Sequence, residues 1–213
     1  MKEQKIGVHE TSVRLAKLSN LVNKAEEIYE ENDVVCTTDL EELFSEIPLE
    51  GVRSGKGPYP YTVLYREIFL THLNFLKEVF MDYSKRTMGN GVEFISFTLD
   101  TGEYVIFEGE ENRVSLPMPH GITSAHTHPG ICLFSHPDLE TADNLFIKGY
   151  FSIGVMNPEC ALIVYRNGPY TIEDRDALIS LANKVKKAKR LEDLTTAYNS
   201  FRAPNLVMSL NRF

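Results

Sequence analysis

Two histidines stand one residue apart near the middle of the chain, and a carboxylate follows them after a short loop. They are His126, His128 and Asp138, within the stretch SAHTHPGICLFSHPDLETAD. Side chains two positions apart on a β-strand point to the same face, so both imidazoles can reach one point in space. Imidazole nitrogens and a carboxylate oxygen are zinc ligands, and three protein ligands leave the fourth tetrahedral position open to water. The pattern therefore predicts a catalytic zinc site.

Other side chains in and near this stretch have alternative roles. Histidines beside prolines are common in exposed loops, so the pair could also lack a metal. His120 and His136 could line the same cleft, and Cys132 could be a competing ligand or a small apolar filler. Ser135 lies three residues before Asp138, which is the spacing of a helix N-cap and its partner in the first turn.

The order of residues in this stretch resembles the signature of the JAMM metalloproteases, also called the JAB or MPN family. That signature is H-[ST]-H-P, a spacer, and S-x-x-D, with a glutamate well upstream. Here His126-Thr127-His128-Pro129 is followed by Ser135-His136-Pro137-Asp138, with a spacer one residue shorter than the family's. By the order of its elements, the resemblance covers roughly residues 62–190. It implies a JAB/MPN-like, cytidine-deaminase-like fold, a mixed β-sheet flanked by helices.

The resemblance also implies a role for each residue at the site. His126, His128 and Asp138 would hold Zn²⁺, and Ser135 would donate a hydrogen bond to the oxyanion during amide cleavage. Glu93 would be the general base, because it opens the strand that follows a long helix. Its rivals all lie in or beside turns: Glu103, Glu108, Glu110 and Glu111. Ser135 could instead be only a helix cap.

The implied function is a zinc-dependent peptidase or isopeptidase that cleaves amide bonds at the C-terminal tail of a ubiquitin-like or sulfur-carrier protein. Such tails bind in an extended form, often by adding a strand to a sheet edge. Two alternatives remain at this stage: a non-catalytic MPN-like scaffold, and a zinc hydrolase of a small amide. Nucleobase deamination is disfavoured, because the P-C-x-x-C pattern of zinc deaminases is absent.

The hydrophobic periodicity around this motif predicts an α+β domain. We divide the chain into a helical N-terminal extension (1–60), a JAMM-like domain (61–190) and a C-terminal tail (191–213) with weak signals. Leu15, Leu18, Val22, Ala25 and Tyr29 form a narrow stripe that could pack on the chain's own domain or pair with a second copy. The predicted helices are 11–31, 38–47, 62–88, 139–148 and 172–190, and residues 48–60 read as a loop. The predicted strands are 92–99, 104–109, 113–117, 121–127, 151–156 and 161–166.

The overall composition limits the classes of partner. A net charge of −8 and a pI near 5.3 disfavour binding to phosphate backbones, so we expect no nucleic acid. We expect no membrane span, because no apolar stretch is long enough, and the first residues lack the apolar run of a secretory signal. Three scattered cysteines are too few for a disulfide framework. These features predict a soluble, cytoplasmic protein.

Overall fold

The computed structural model describes residues 4–32, 61–109 and 119–213. Several sequence predictions lie outside the described residues. They are the helix 38–47, the loop 48–60, the strand 113–117, the side chain of Tyr29, and the rival glutamates Glu110 and Glu111.

Seven strands form one mixed sheet in the order β1-β3-β2-β4-β5-β6-β7. Their bounds are β1 Gln4–Val8, β2 Phe94–Thr98, β3 Glu103–Glu108, β4 Thr123–Thr127, β5 Ser152–Met156, β6 Cys160–Arg166 and β7 Leu206–Arg212. Neighbouring strands run antiparallel except β4 and β5, which are parallel. Parallel neighbours need a crossover connection, and the helix between β4 and β5 supplies it.

Helices cover both faces of this sheet. They are α1 Glu10–Asn32, α2 Thr62–Phe75, α3 Met81–Asn90, α4 His136–Ile147, α5 Ile172–Lys187 and α6 Leu191–Asn199. A π-helical turn, Leu76–Phe80, joins α2 to α3. The long helix ends at Gly91, whose φ of 74° lies in the left-handed region that glycine adopts without strain.

The core divides along the two faces of the sheet. Alternate residues of each strand point to opposite faces, so Val155 packs under α4, α5 and α6 whereas Met156 packs under α2 and α3. A third cluster joins α1 to α2 through Leu15, Leu18 and Val22, which are fully buried. The predicted apolar stripe of α1 therefore packs on the chain's own domain.

The structure confirms the α+β class and the β2–β3 hairpin. It also confirms the four predicted helices that fall in the described residues, within a few residues at each end. Three elements had no sequence prediction: β1, α6 and β7. β1 and β7 are the two outer strands of the sheet, so the described part of residues 1–60 and of the 191–213 tail is built into the same fold. Within the described residues, no helix is both long and apolar enough to cross a membrane.

Candidate metal centre

The two histidines are placed by strand β4 and by the residue that directly follows it. His126 pairs with Ile95 of β2 and Val155 of β5, so it sits between two central strands. His128 follows the strand and is fixed by its backbone N–H, which donates to the carbonyl of Met156 at 2.8 Å. Both rings therefore lie at the carboxyl end of β4, on the face covered by α4.

Asp138 is placed by the start of α4. Ser135 is the N-cap, and its hydroxyl accepts from the Asp138 backbone N–H at 3.4 Å. The Asp138 carboxylate in turn accepts from the Ser135 backbone N–H at 2.7 Å and from the Ser135 hydroxyl at 2.6 Å, both at Oδ2. This capping box confirms the predicted cap, and it holds the carboxylate in one orientation.

The three predicted ligands converge. The Nε2 atoms of His126 and His128 lie 3.0 Å apart. Oδ1 of Asp138 lies 3.4 Å from Nε2 of His126, and Oδ2 lies 3.5 Å from Nε2 of His128. Ligand atoms at about 2.0–2.1 Å from a tetrahedral metal stand about 3.3 Å from one another. Among the described residues, these three side chains form the one group of at least three histidine, cysteine or acidic residues that could hold a metal ion.

The hydrogen bonds and charges around the cluster also suit a cation. Nδ1 of His128 lies 3.2 Å from the carbonyl of Ile131, so a proton on Nδ1 leaves the Nε2 lone pair for a metal. Burial disfavours the charged form of Asp138, but hydrogen bonds from His126, His128 and Ser135 outweigh it and hold the pKa of Asp138 well below its usual range. Burial also opposes the charge on His128, yet its hydrogen bond and attraction to Asp138 raise the pKa of His128. The carboxylate thus stays ionised, and the site attracts positive charge.

The ligand loop, residues 129–134, is short by one residue relative to the JAMM signature, yet Asp138 reaches both histidines. The loop is held against the turn between β5 and β6. The Asn157 side-chain amide donates to the carbonyl of Gly130 at 2.7 Å, and Cys132 forms a disulfide with Cys160.

This disulfide corrects the prediction that Cys132 is a competing ligand or an apolar filler. The two cysteines are 28 positions apart, and only the fold of the β5–β6 turn brings Cys160 to the loop. Spacing alone could not show the pair. The argument from cysteine content for a reducing, cytoplasmic location no longer holds, because disulfides form mainly in oxidising compartments.

Glu93 lies one residue before β2 and lines the same cavity as His128 and Ser135, a space of about 330 Å³. Thr127, between the two histidines, explains this placement. Its side chain points to the opposite face, where its hydroxyl accepts from the Phe94 backbone N–H at 2.8 Å and contacts the Thr87 hydroxyl at 2.6 Å. The strand that carries the histidines therefore fixes the backbone next to Glu93.

The rival glutamates in the described residues do not line this cavity. Glu103 begins β3 and pairs with Val8, at the end of the sheet away from the histidines, and neither it nor Glu108 lines the cavity. His120 and His136 contribute no atom to the ligand cluster.

A second cavity, of about 640 Å³, adjoins the first and shares Leu133 with it. It lies between α6 and β7. One row across the sheet joins the two regions: His126 pairs with Val155, Val155 with Leu162, and Leu162 with Leu210. Since strands are about 4.8 Å apart, Leu162 and Leu210 lie about 10 and 14 Å from His126. No sequence pattern predicted this groove, because its lining combines Leu133 and Leu162 with residues 195–210, which are distant along the chain.

Comparison of the chain with protein-family models, with curated proteins and with solved structures finds no match.

Proposed function

We propose that this chain is a zinc-dependent peptidase or isopeptidase of JAMM type, with a JAB/MPN-like fold. The observation that carries the proposal is the convergence of two Nε2 atoms and one carboxylate within 3.0–3.5 Å of one another. Three ligands from a strand end and a helix start leave a coordination place for water. Glu93 and Ser135, the two residues that the JAMM resemblance assigns to catalysis, line the adjoining cavity.

Each residue has a distinct task in this proposal. Zinc, when bound, supplies Lewis-acid activation of water near neutral pH. Glu93 accepts the proton of the attacking water and passes it to the leaving amine. The Ser135 hydroxyl, which now donates to Asp138 at 2.6 Å, turns to donate to the oxyanion of the tetrahedral intermediate.

The shape of the cleft favours a polypeptide over a small amide. The groove beyond Leu133 continues along α6 and β7 and is lined largely by apolar side chains, among them Leu162, Phe201 and Met208. An extended chain advances about 3.3 Å per residue, so about four residues would span the distance of about 14 Å from His126 to Leu210. We propose the extended C-terminal tail of a ubiquitin-like or sulfur-carrier protein as the substrate.

The first experiment measures metal content and cleavage together. Elemental analysis of the purified protein should give about one zinc per chain. A ubiquitin-like fusion with an amide-linked C-terminal reporter should be cleaved, and the Glu93→Gln variant should lose about 10²–10⁴ in rate. Glu103→Gln is the matched control, since Glu103 is also exposed but lies at the far end of the β2–β3 hairpin. Unchanged cleavage by Glu93→Gln would remove Glu93 from the mechanism.

A second pair of variants separates catalysis by Ser135 from helix capping. Thr171 and Asp174 form the same capping box at the start of α5, away from the metal cluster. Ser135→Ala and Thr171→Ala should each cost about 1 kcal/mol of stability. Only Ser135→Ala should also lose about 10²–10³ in cleavage rate. Equal activity of the two variants would leave Ser135 as a cap alone.

The rival functions predict different results in the same assays. A non-catalytic MPN-like scaffold would bind its partner without cleaving any fusion. A small-amide hydrolase would cleave low-molecular-weight acyl amides with no preference for the fusion.

A further inference from the structure

Tyr198, on α6, lies outside the part of the chain that resembles the JAMM family, yet it touches the ligand loop. Its hydroxyl donates to the carbonyl of Phe134 at 2.5 Å. Phe134 is buried and directly precedes Ser135, so this bond fixes the last residue of the ligand loop, just before α4 begins.

The peptide group between Phe134 and Ser135 makes two hydrogen bonds in opposite directions. Its carbonyl accepts from Tyr198, and its N–H donates to Oδ2 of Asp138 at 2.7 Å. A peptide group is planar and rigid, so fixing its carbonyl also fixes the direction of its N–H. Hydrogen bonds in such a chain polarise and strengthen one another.

We propose that Tyr198 is a positioning residue for the metal centre: through the Phe134–Ser135 peptide, it sets the orientation of the Asp138 carboxylate and the place of the Ser135 hydroxyl. The inference rests on the proposed function for its catalytic consequence, but not for its effect on metal binding. Burial, together with the negative charge of Asp138, raises the pKa of Tyr198, so the phenol keeps the proton that it donates.

The other anchors of the loop cannot replace this one. The Asn157 amide and the Cys132–Cys160 disulfide hold residues 130 and 132, before Phe134. Without the Tyr198 hydroxyl, the Phe134–Ser135 peptide can tilt while the earlier part of the loop stays in place.

The test compares Tyr198→Phe with Tyr170→Phe. Tyr170 is a matched control, because its hydroxyl donates at 2.8 Å to Asp143, a carboxylate on the same helix as Asp138 but outside the ligand cluster. Residues that orient metal ligands typically contribute 10–100-fold to metal affinity or activity. We expect Tyr198→Phe to bind Co²⁺ about 10-fold more weakly and to change its visible absorption. Tyr170→Phe should retain the Co²⁺ affinity and spectrum of the native protein.

Cleavage supplies the second readout. In Tyr198→Phe, kcat should fall about 10-fold with little change in KM, whereas Tyr170→Phe should match the native protein. If the two variants give the same Co²⁺ affinity and the same kcat, the role of Tyr198 is overturned. If the native protein binds Co²⁺ but cleaves no substrate, the proposed function fails, and the Co²⁺ measurements still decide the role of Tyr198. If the native protein binds no Co²⁺, both proposals fall.

Discussion

Removing the Cys132–Cys160 disulfide tests the placement of the ligand loop most directly. The bond closes a chain segment of 28 positions, which by the chain-entropy relation restricts the unfolded state by about 3.5 kcal/mol at 25 °C. For a protein of this size, a loss of that amount lowers the midpoint of thermal unfolding by about 10 °C. The perturbation is the double substitution Cys132→Ala and Cys160→Ala.

Urea unfolding of the native protein and the double variant measures the difference in unfolding free energy, and thermal unfolding measures the difference in midpoint. Cys36→Ala is the control, because Cys36 is the remaining cysteine of the chain and takes no part in this disulfide. The native protein with a reductant present provides a second comparison that leaves both side chains in place. Thiol titration of the denatured protein should give one free thiol per chain before reduction and three after it.

The refuting result is a double variant with the same unfolding midpoint as Cys36→Ala, or a native protein whose three cysteines all titrate before reduction. Either result would mean that the loop between His128 and Ser135 is not tethered to β6. Because Cys132 lies between the proposed metal ligands in sequence, the same variant should also bind zinc more weakly than the native protein.

Three further predictions follow from buried polar contacts. His72 is fully buried with its Nδ1 bonded to the Ser152 hydroxyl, and burial lowers the pKa of His72 to about 3. Between pH 6.5 and 3 only the unfolded chain binds a proton at His72, so acid favours unfolding. Lowering the pH from 7 to 5 should therefore cost the native protein about 2 kcal/mol of stability, a loss that His72→Gln should not show. Urea unfolding at each pH measures this difference. Glu26→Gln leaves the buried guanidinium of Arg166 without its carboxylate partner at 2.5 Å, and it should cost about 3 kcal/mol of unfolding free energy. Glu67→Gln breaks the more exposed pair with Arg14 and should cost less than about 1 kcal/mol. Thr127→Val and Thr98→Val each remove one member of a buried threonine pair, and each should cost about 1–3 kcal/mol of stability, as measured by thermal unfolding. Only Thr127→Val should also reduce cleavage. Equal activity of the two variants would show that Thr127 does not position Glu93.

Local sequence signals predicted the convergence of His126, His128 and Asp138 better than they predicted the surrounding fold. The predicted ligand set depends on two short-range patterns, a strand with histidines at alternate positions and a capping box whose two ends are three positions apart. Both are visible without tertiary contacts. Glu93 has no such pattern, and its place beside His128 depends on Thr127 reaching across to β2. The sequence therefore offered several rival glutamates, and among the described residues only the fold separates Glu103 and Glu108 from Glu93.

The two missed strands share a physical cause. β1 and β7 are edge strands, where one side of the strand has no partner within the described residues and the apolar alternation weakens. Cys132 and Tyr198 each contact a segment that is distant along the chain. No periodicity within a window of a few residues can report such contacts.

The capping boxes of α4 and α5 show how little must be added to an ordinary helix start to bring a carboxylate to a pair of histidines. In both boxes the carboxylate accepts from the N-cap backbone N–H and from the N-cap hydroxyl, at 2.6–2.7 Å for Asp138 and 3.0 Å for Asp174. Asp174 is buried, and its second oxygen accepts from the Asn205 backbone N–H. Asp138 instead directs its second oxygen to His126 at the end of β4.

The capping bonds already fix the rotamer of Asp138 in the folded chain, so a cation that binds there does not have to order that side chain. The same argument applies to His128, whose ring is held by the Ile131 carbonyl. A site organised in this way by helix and strand should bind its metal without rearrangement of the ligand loop. Its affinity should then depend on the bonds that orient the ligands, those of Ser135, Ile131 and Tyr198, as well as on the ligands themselves.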